Sequence, residues 1–148
     1  MRLTLSTDYA LRTLIFVGAN DGQLATIAEI AKSFDISKPH LMKVVHQLGQ
    51  QRYLETIRGK NGGIRLGREP AKIIVGEVVR QTEGDLAVMG CLATDGFCRI
   101  EGCCVLRQAL HQATQDFLAA LDRYTLADLL APHARLVHSL GLRAMTGT

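Results

Sequence analysis

Residues 26–68 read TIAEIAKSFDISKPHLMKVVHQLGQQRYLETIRGKNGGIRLGR, and the pattern of apolar residues in this stretch decides the fold. Thr26 and Glu29 have the spacing of a capping box, which predicts that a helix starts there and is followed by a short turn. Ser37 is the predicted cap of the next helix, which tolerates Pro39 in its first turn. Two short helices joined by a turn of three or four residues are typical of a helix-turn-helix.

The apolar period changes after the second of these helices. Residues 53–57 alternate and are rich in β-forming side chains, residues 64–66 resemble a return strand, and Asn61-Gly62 between them is a strong hairpin signal. A basic hairpin directly after a helix-turn-helix is a wing. The predicted fold class is therefore mainly α with a small β-hairpin wing, that is, a winged helix-turn-helix plus a long dimerisation helix.

The long helix is predicted from residues 105–123, where apolar side chains recur at helical spacing over about five turns. A small winged helix has limited surface to cover such a helix, so its apolar stripe favours a symmetric homodimer. Burial against the same chain is the alternative. The members of the stripe are Val105, Leu106, Ala109, Leu110, Ala113, Phe117 and Leu121.

Three further helices complete the prediction. Ser6 or Thr7 caps a first helix that carries Asp8 in its first turn, a helix lies near residues 75–82, and Thr125 caps a last short helix that closes near Pro132. The chain is predicted to be one compact unit with three parts. These are a winged helix-turn-helix DNA-binding domain at residues 1–85, a cluster-binding loop at 86–104, and the dimerisation helix with the C-terminal segment at 105–148.

Positive charge is concentrated on the helix-turn-helix and the wing. The net charge of the whole chain is +3, yet residues 38–68 hold seven basic residues against the single acid Glu55, a net +6 that leaves −3 for the rest. A basic patch of this kind predicts a polyanionic partner touched by one face. The N-terminus of a recognition helix and the tip of a wing are the parts that reach base edges and phosphates. The predicted DNA-binding residues are Ser37, Lys38, Pro39, His40, Lys43, Arg58, Gly59, Lys60, Asn61, Gly62 and Arg65.

All four cysteines lie within fourteen residues, at Cys91, Cys98, Cys103 and Cys104. Several thiolates on one glycine-containing loop are typical of a metal or cluster site. Their spacings of six, four and zero intervening residues fit a structural zinc site poorly, whereas an iron–sulfur cluster tolerates irregular spacing. The pattern favours a cluster first, a thiol redox switch second and zinc third.

Other protein classes are disfavoured by what the chain lacks. No apolar run approaches the ~20 residues of a membrane helix, and Asp8 and Arg12 interrupt the first apolar stretch, which argues against a secretory signal. The expected compartment is the cytoplasm, where thiols stay reduced. The sequence shows no Gly-rich phosphate loop, nucleophile elbow or convincing pair of catalytic acids, so we do not expect an enzyme.

Four stretches carry a more specific resemblance: LSTDYALR at 5–12, RGKNGGIRLGR at 58–68, FCRIEGCCVLRQAL at 97–110 and LDRYTLADLL at 121–130. Over nearly its whole length the chain resembles the Rrf-two family of winged-helix regulators. The third and fourth stretches resemble its nitric-oxide-sensing repressor branch. The resemblance implies a homodimer that binds a palindromic operator in double-stranded DNA and holds an iron–sulfur cluster, 4Fe-4S or alternatively 2Fe-2S.

The resemblance also implies the cluster ligands. Cys91 and Cys98 match the first two, and Cys104 matches the third because the VLRQAL that follows sets the register. Cys103 departs from the family pattern and is an alternative ligand or a redox partner. The fourth ligand in the family branch falls on Asp8 of the partner subunit; stabilisation of the first helical turn is its other reading.

The function implied is a nitric-oxide-sensitive transcriptional repressor that loses DNA affinity when its cluster is nitrosylated or lost. Iron- or cluster-status regulators of the same family are an alternative, although the cluster-status type has a histidine three residues after the third cysteine, where this chain has Arg107. A metal-free thiol redox sensor is another alternative.

Overall fold

The computed structural model describes residues 1–143. This part of the chain contains seven α-helices and one two-stranded antiparallel hairpin, which confirms the predicted fold class. Short 3₁₀ turns at Pro70–Lys72, Gly90–Leu92 and Glu101–Cys103 connect them. The elements in chain order are α1 Leu5–Ala19, α2 Ile27–Phe34, α3 Lys38–Gln50, β1 Leu54–Ile57, β2 Gly63–Leu66, α4 Val75–Thr82, α5 Val105–Leu121, α6 Leu126–Leu129 and α7 His133–Leu140.

The cap of α1 lies earlier than the sequence predicted. Thr4 is the N-cap, and its hydroxyl accepts a hydrogen bond from the backbone N–H of Thr7 at 3.4 Å. The prediction of Ser6 or Thr7 was wrong because three hydroxyl residues compete for the role within four positions. Thr7 is fully buried inside the first turn, where its side chain bonds to Glu83 instead.

The helix-turn-helix forms as its caps predict. The backbone N–H of Thr26 donates to Glu29 Oε2 at 2.8 Å and the N–H of Glu29 donates back to Thr26 Oγ1 at 3.2 Å, so the capping box is complete. Asp35 ends α2 in the left-handed conformation. Ser37 occupies the N-cap of α3 and Pro39 lies in the first turn, both as predicted.

The wing is fastened to the helices by a short third pairing. β1 and β2 pair antiparallel with Glu55 opposite Arg65. Beyond the hairpin, Ala25 and Ile64 exchange two backbone hydrogen bonds, 2.9 and 2.7 Å long. Since Ala25 lies between α1 and α2, the wing is held in a fixed position relative to the helix-turn-helix.

The C-terminal part returns to the winged helix through backbone contacts. The N–H of Val75 donates to the carbonyl of Tyr124 at 2.9 Å, and the N–H of Leu126 donates to the carbonyl of Ile73 at 2.8 Å. The sequence missed α7, because Pro132 was interpreted as the end of the last helix. Pro132 is instead the N-cap of α7, a helix end where its missing N–H costs nothing. Of the segment predicted at 105–148, residues 144–148 lie outside the described part.

The core lies between the first three helices and the hairpin. It contains Ala10, Leu14, Phe16, Val17, Ala25, Ile30, Leu41, Val44, Val45, Leu48, Tyr53, Leu54, Ile64, Val78 and Leu126, among others. In contrast, Leu118 is the one fully buried residue of α5. Within residues 1–143, no helix is both long enough and apolar enough to cross a membrane.

Candidate DNA interface and cysteine segment

The N-terminal half of α3 is exposed on the side away from the core. Leu41, Val44, Val45 and Leu48 are buried and orient the helix. Ser37, Lys38, Pro39 and Lys43 are exposed on the opposite side. The Ser37 hydroxyl makes no capping bond, which leaves this helix end suited to a phosphate oxygen.

His40 is placed differently from the other predicted contacts on α3. It is half-buried because its ring packs edge-on against the ring of Tyr9 in α1, with centroids 4.8 Å apart. His40 therefore links α1 to the DNA-facing end of α3. The sequence analysis missed Met42, which is 57% exposed, and His46, which is also exposed on this helix. Counting positions outside the buried stripe would have identified both.

The wing tip is narrow because two of its glycines are required there. Gly59 has φ of 114°, a conformation that other residues rarely adopt. Gly62 donates its N–H to the carbonyl of Gly59 at 3.0 Å, and a Cβ on Gly62 would collide with the carbonyl of Ile57. Arg58 and Lys60 are exposed on this tip. Because the tip is narrow, their side chains can reach into a groove of DNA.

Among the predicted DNA-binding residues of the wing, Arg65 forms a salt bridge within the chain. Its Nε donates to Glu55 Oε2 at 2.8 Å across the strands, and both side chains are about half exposed. An exposed pair of this kind contributes only about 0–1 kcal/mol, so a DNA phosphate can replace Glu55 as the partner.

The wing cations predict a measurable salt dependence of DNA binding. We expect Arg58→Ala and Lys60→Ala each to lower affinity and to reduce the slope of log Kd against log salt by about one, because each removes one phosphate contact. Titrations by fluorescence anisotropy at several salt concentrations measure this slope. Arg135→Ala, which removes an exposed charge from α7, is the matched control and should leave the slope unchanged. An unchanged slope in both wing variants would place the wing away from DNA.

The cysteines lie in a segment of turns between α4 and α5. Cys91 belongs to the 3₁₀ turn Gly90–Leu92, and Cys104 is the N-cap of α5. Cys91, Cys98 and Cys104 are half-buried, whereas Cys103 is exposed, and all four are free thiols. The three cysteines predicted as ligands are therefore all half-buried, unlike Cys103.

Cys103 and Cys104 are adjacent but have different surroundings. The backbone N–H of Arg107 donates to Cys104 Sγ at 3.4 Å, so a thiolate at this position faces the positive end of α5. The guanidinium of Arg107 also pairs with Glu101 at 3.1 Å. Cys103 Sγ points to the carbonyl of Ile100, 3.5 Å away. The start of α5 thus offers a backbone donor to the Cys104 sulfur, and Cys103 has no such contact among the described residues.

The donor set has the right chemistry for an iron–sulfur cluster, although a single chain does not assemble it. Thiolates are the usual ligands of such clusters, and a segment of short turns adapts to irregular ligand spacing. Among the residues that the structure describes, no three His, Cys, Asp or Glu side chains are grouped to hold a metal ion. Asp8 lies on α1 and pairs with Arg12 at 2.7 Å. The ligand assignment, which takes Asp8 from another subunit, stays a prediction.

The part of the chain that the structure describes leaves the first half of the α5 stripe largely uncovered. Val105 is 75% exposed and Leu106 is 56% exposed. Ala109 and Ala113 are also exposed, while the remaining three members are half-buried. Phe97, in the cysteine segment, is 87% exposed. Among the described residues, five of the nine exposed large hydrophobic side chains lie in the cysteine segment or at the start of α5: Met89, Phe97, Ile100, Val105 and Leu106.

Comparison with known proteins agrees with this combination of features. The sequence profile of the Rrf2 family, described as an iron-dependent transcriptional regulator, matches residues 3–132. The HTH-type transcriptional regulator NsrR of Geobacillus kaustophilus is 52% identical over 138 residues, which cover 92% of this chain and 94% of that protein. The regulator of the same name from Bacillus subtilis is 51% identical over 132 residues, 88% of this chain and 90% of that one.

Solved structures share the fold at lower identity. T. potens IscR superposes with a TM-score of 0.71 at 23% identity, over 89% of this chain and 88% of that chain. CymR, the global cysteine regulator of B. subtilis, also gives a TM-score of 0.71 at 23% identity, over 89% and 98%.

The fold, the exposed basic face and these relatives define the class of protein: a winged helix-turn-helix transcriptional regulator, which acts by binding DNA. More narrowly, the chain belongs to the Rrf2 family. The predictions of the family and of a regulator rather than an enzyme are confirmed by these relatives.

Proposed function

We propose that this regulator is a nitric-oxide-sensitive repressor that binds a palindromic operator as a homodimer and releases it when nitric oxide reacts with a bound iron–sulfur cluster. The proposal depends on two features that occur together in this chain. One is the basic surface on α3 and the wing, and the other is the segment with four thiols that directly precedes the exposed apolar stripe of α5. The relatives named NsrR, 52% and 51% identical, support it.

The proposed ligands are Cys91, Cys98 and Cys104 of one subunit and Asp8 of the partner subunit. A bound cluster, 4Fe-4S or alternatively 2Fe-2S, supplies iron atoms with which nitric oxide reacts. Asp8 would offer a hard carboxylate oxygen beside three soft thiolates, so it would be the weakest of the four ligands. Cys103 is the alternative ligand in this scheme.

The chain's own contacts explain how ligation would reach DNA. Asp8 is on the first turn of α1, and α1 packs against α3. The contact between Tyr9 and His40 connects the same region of α1 to the DNA-facing end of α3. Binding of Asp8 to the cluster of the partner subunit would therefore fix the distance between the two α3 helices of the dimer. Half-sites on DNA lie about 34 Å apart, so a small rotation of either α3 weakens binding.

The experiment that tests this function is a DNA titration under strictly anaerobic conditions. The duplex is one that the purified protein selects from a random pool. We expect the Kd to rise by at least about tenfold after nitric oxide is added, within the range of typical coupling between two ligands. An unchanged Kd would remove the sensing proposal. In visible spectra recorded over time after anaerobic purification, Asp8→Ala should retain its iron at first and lose its absorption faster than the wild type.

Two observations favour other signals, and one analysis separates them. The family description names iron dependence, which fits an iron- or cluster-status regulator. The exposure of Cys103 next to Cys104 fits a metal-free thiol sensor. Iron and sulfide analysis of anaerobically purified protein distinguishes the thiol sensor, because it would contain neither. A protein that releases DNA when an iron chelator is added, but keeps its Kd when nitric oxide is added, would indicate iron sensing.

A further inference from the structure

Glu83 is a buried carboxylate that neither the DNA interface nor the cysteine ligands use. It directly follows α4 and is 8% exposed. Among the described residues its partners are uncharged: the backbone N–H of Thr4 at 2.7 Å, the Thr4 hydroxyl at 3.0 Å and the Thr7 hydroxyl at 2.6 Å. The hydroxyls of Thr7 and Thr82 are 2.8 Å apart, which extends the network into α4.

These hydrogen bonds keep the carboxylate charged in spite of its burial. Burial by itself raises the pKa of Glu83, but the hydroxyl of Thr7 and the N–H and hydroxyl of Thr4 outweigh it and hold the pKa below its usual value. Short hydrogen bonds to an ionised acceptor are among the strongest in proteins. The stabilisation they provide is complete above the usual glutamate pKa and is lost as the pH falls through the lowered value.

The position of Glu83 connects two parts of the proposed switch. The segment that carries all four cysteines begins at the next residue, Gly84. On the other side, Thr4 and Thr7 are the N-cap and first turn of α1, and Asp8 is the residue after Thr7. Within one subunit, the carboxylate of Glu83 therefore connects the start of the cysteine segment to the start of α1.

α1 packs on α4, and a cleft opens beside Glu83 between the chain before α1 and the start of the cysteine segment. A cleft of about 350 Å³ lies beside Glu83, lined by residues 1–3 and 85–88 and by Thr114 and Phe117. The chain before α1 and the start of the cysteine segment are thus separated by open space. At this end of α1 the side-chain hydrogen bonds to the end of α4 are those of Glu83 and the contact between the Thr7 and Thr82 hydroxyls, and they are placed to transmit a displacement of the cysteine segment to α1.

We propose that Glu83 is a positioning residue that couples the state of the cysteine segment to α1, and through α1 to the DNA-reading helix α3. This inference rests on the proposed function. A change in the conformation of the segment pulls on Glu83, which moves the first turn of α1, and α1 packs on α3. A purely structural carboxylate would affect stability but not the thermodynamic coupling between cluster and DNA.

The test measures that coupling as the ratio of Kd values for DNA without and with the cluster. Glu83→Gln is compared with Asp122→Asn, a control carboxylate that joins α4 to the end of α5 through two 2.7 Å bonds from Arg80. Wild type is expected to give a ratio of at least about ten. We expect Glu83→Gln to bring the ratio to within about twofold of one, with cluster-free affinity unchanged, and Asp122→Asn to keep the wild-type ratio.

Each outcome decides the proposal. A wild-type ratio in Glu83→Gln overturns the positioning role and leaves the proposed function intact. A ratio of one in the wild type removes the proposed function and this inference together. An equal loss of coupling in Asp122→Asn would show a general effect of destabilisation and also overturn the role. If Glu83→Gln does not fold, Thr7→Val removes the 2.6 Å bond to Glu83, together with the hydroxyl contacts to Thr82 and Thr4, and should lower the ratio in the same direction.

Discussion

Replacing Cys98 by alanine is expected to remove the visible absorption of anaerobically isolated protein and to lower its operator affinity by at least about tenfold. The physical reason is that the cluster would lose one of its three soft thiolate ligands, which a hard oxygen ligand such as water replaces poorly. The matched control is Cys103→Ala, because Cys103 is exposed and its Sγ contacts the carbonyl of Ile100. Iron per chain and the absorption spectrum measure the first effect, and anisotropy titration measures the second.

This pair of variants also tests the ligand register. If Cys103→Ala loses iron while Cys104→Ala retains it, the third ligand is Cys103 and the assignment from the VLRQAL register is wrong. If Cys98→Ala keeps full iron and sulfide, the cluster proposal as stated fails. The assignment of Cys104 is supported by its place at the N-terminus of α5, where the N–H of Arg107 already donates to its sulfur.

Leu106→Glu is expected to convert the protein to a monomer and to lower its operator affinity by roughly a hundredfold or more, because two linked half-site contacts become independent. Leu106 is 56% exposed on the stripe of α5 that the chain leaves uncovered, so a charge there costs the folded monomer little. Buried in a dimer interface, the same charge would be strongly unfavourable. Sedimentation velocity reports the oligomeric state, and the same DNA titration reports affinity.

The control for this variant is Gln115→Glu on the same helix. Residue 115 is exposed, and nine residues of helix place it about opposite residue 106. It adds the same charge without touching the stripe, so the protein should stay dimeric. A Leu106→Glu protein that still sediments as a dimer would move the interface elsewhere on the molecule.

Much of the fold was predictable because local spacing carries it. The capping box of Thr26 and Glu29 and the glycine-containing loop at residues 58–62 act over a few residues, so their physics is complete within the sequence, although the positive φ falls on Gly59 and not on Asn61-Gly62. The long α5 was predicted for the same reason, from the helical period of its apolar stripe. The residues of the candidate DNA interface were also readable as a local excess of positive charge after a recognisable helix start.

The grouping of the four cysteines and the resemblance of the chain to a family of regulators were also visible in the sequence alone. Tertiary structure decided the features in which distant residues compete. Thr4 rather than Ser6 or Thr7 caps α1, because Thr7 is engaged by Glu83, far along the chain. His40 is turned toward Tyr9, and Arg65 is paired with Glu55. Such contacts depend on the packing of elements against each other, and no local rule about neighbouring residues contains that information.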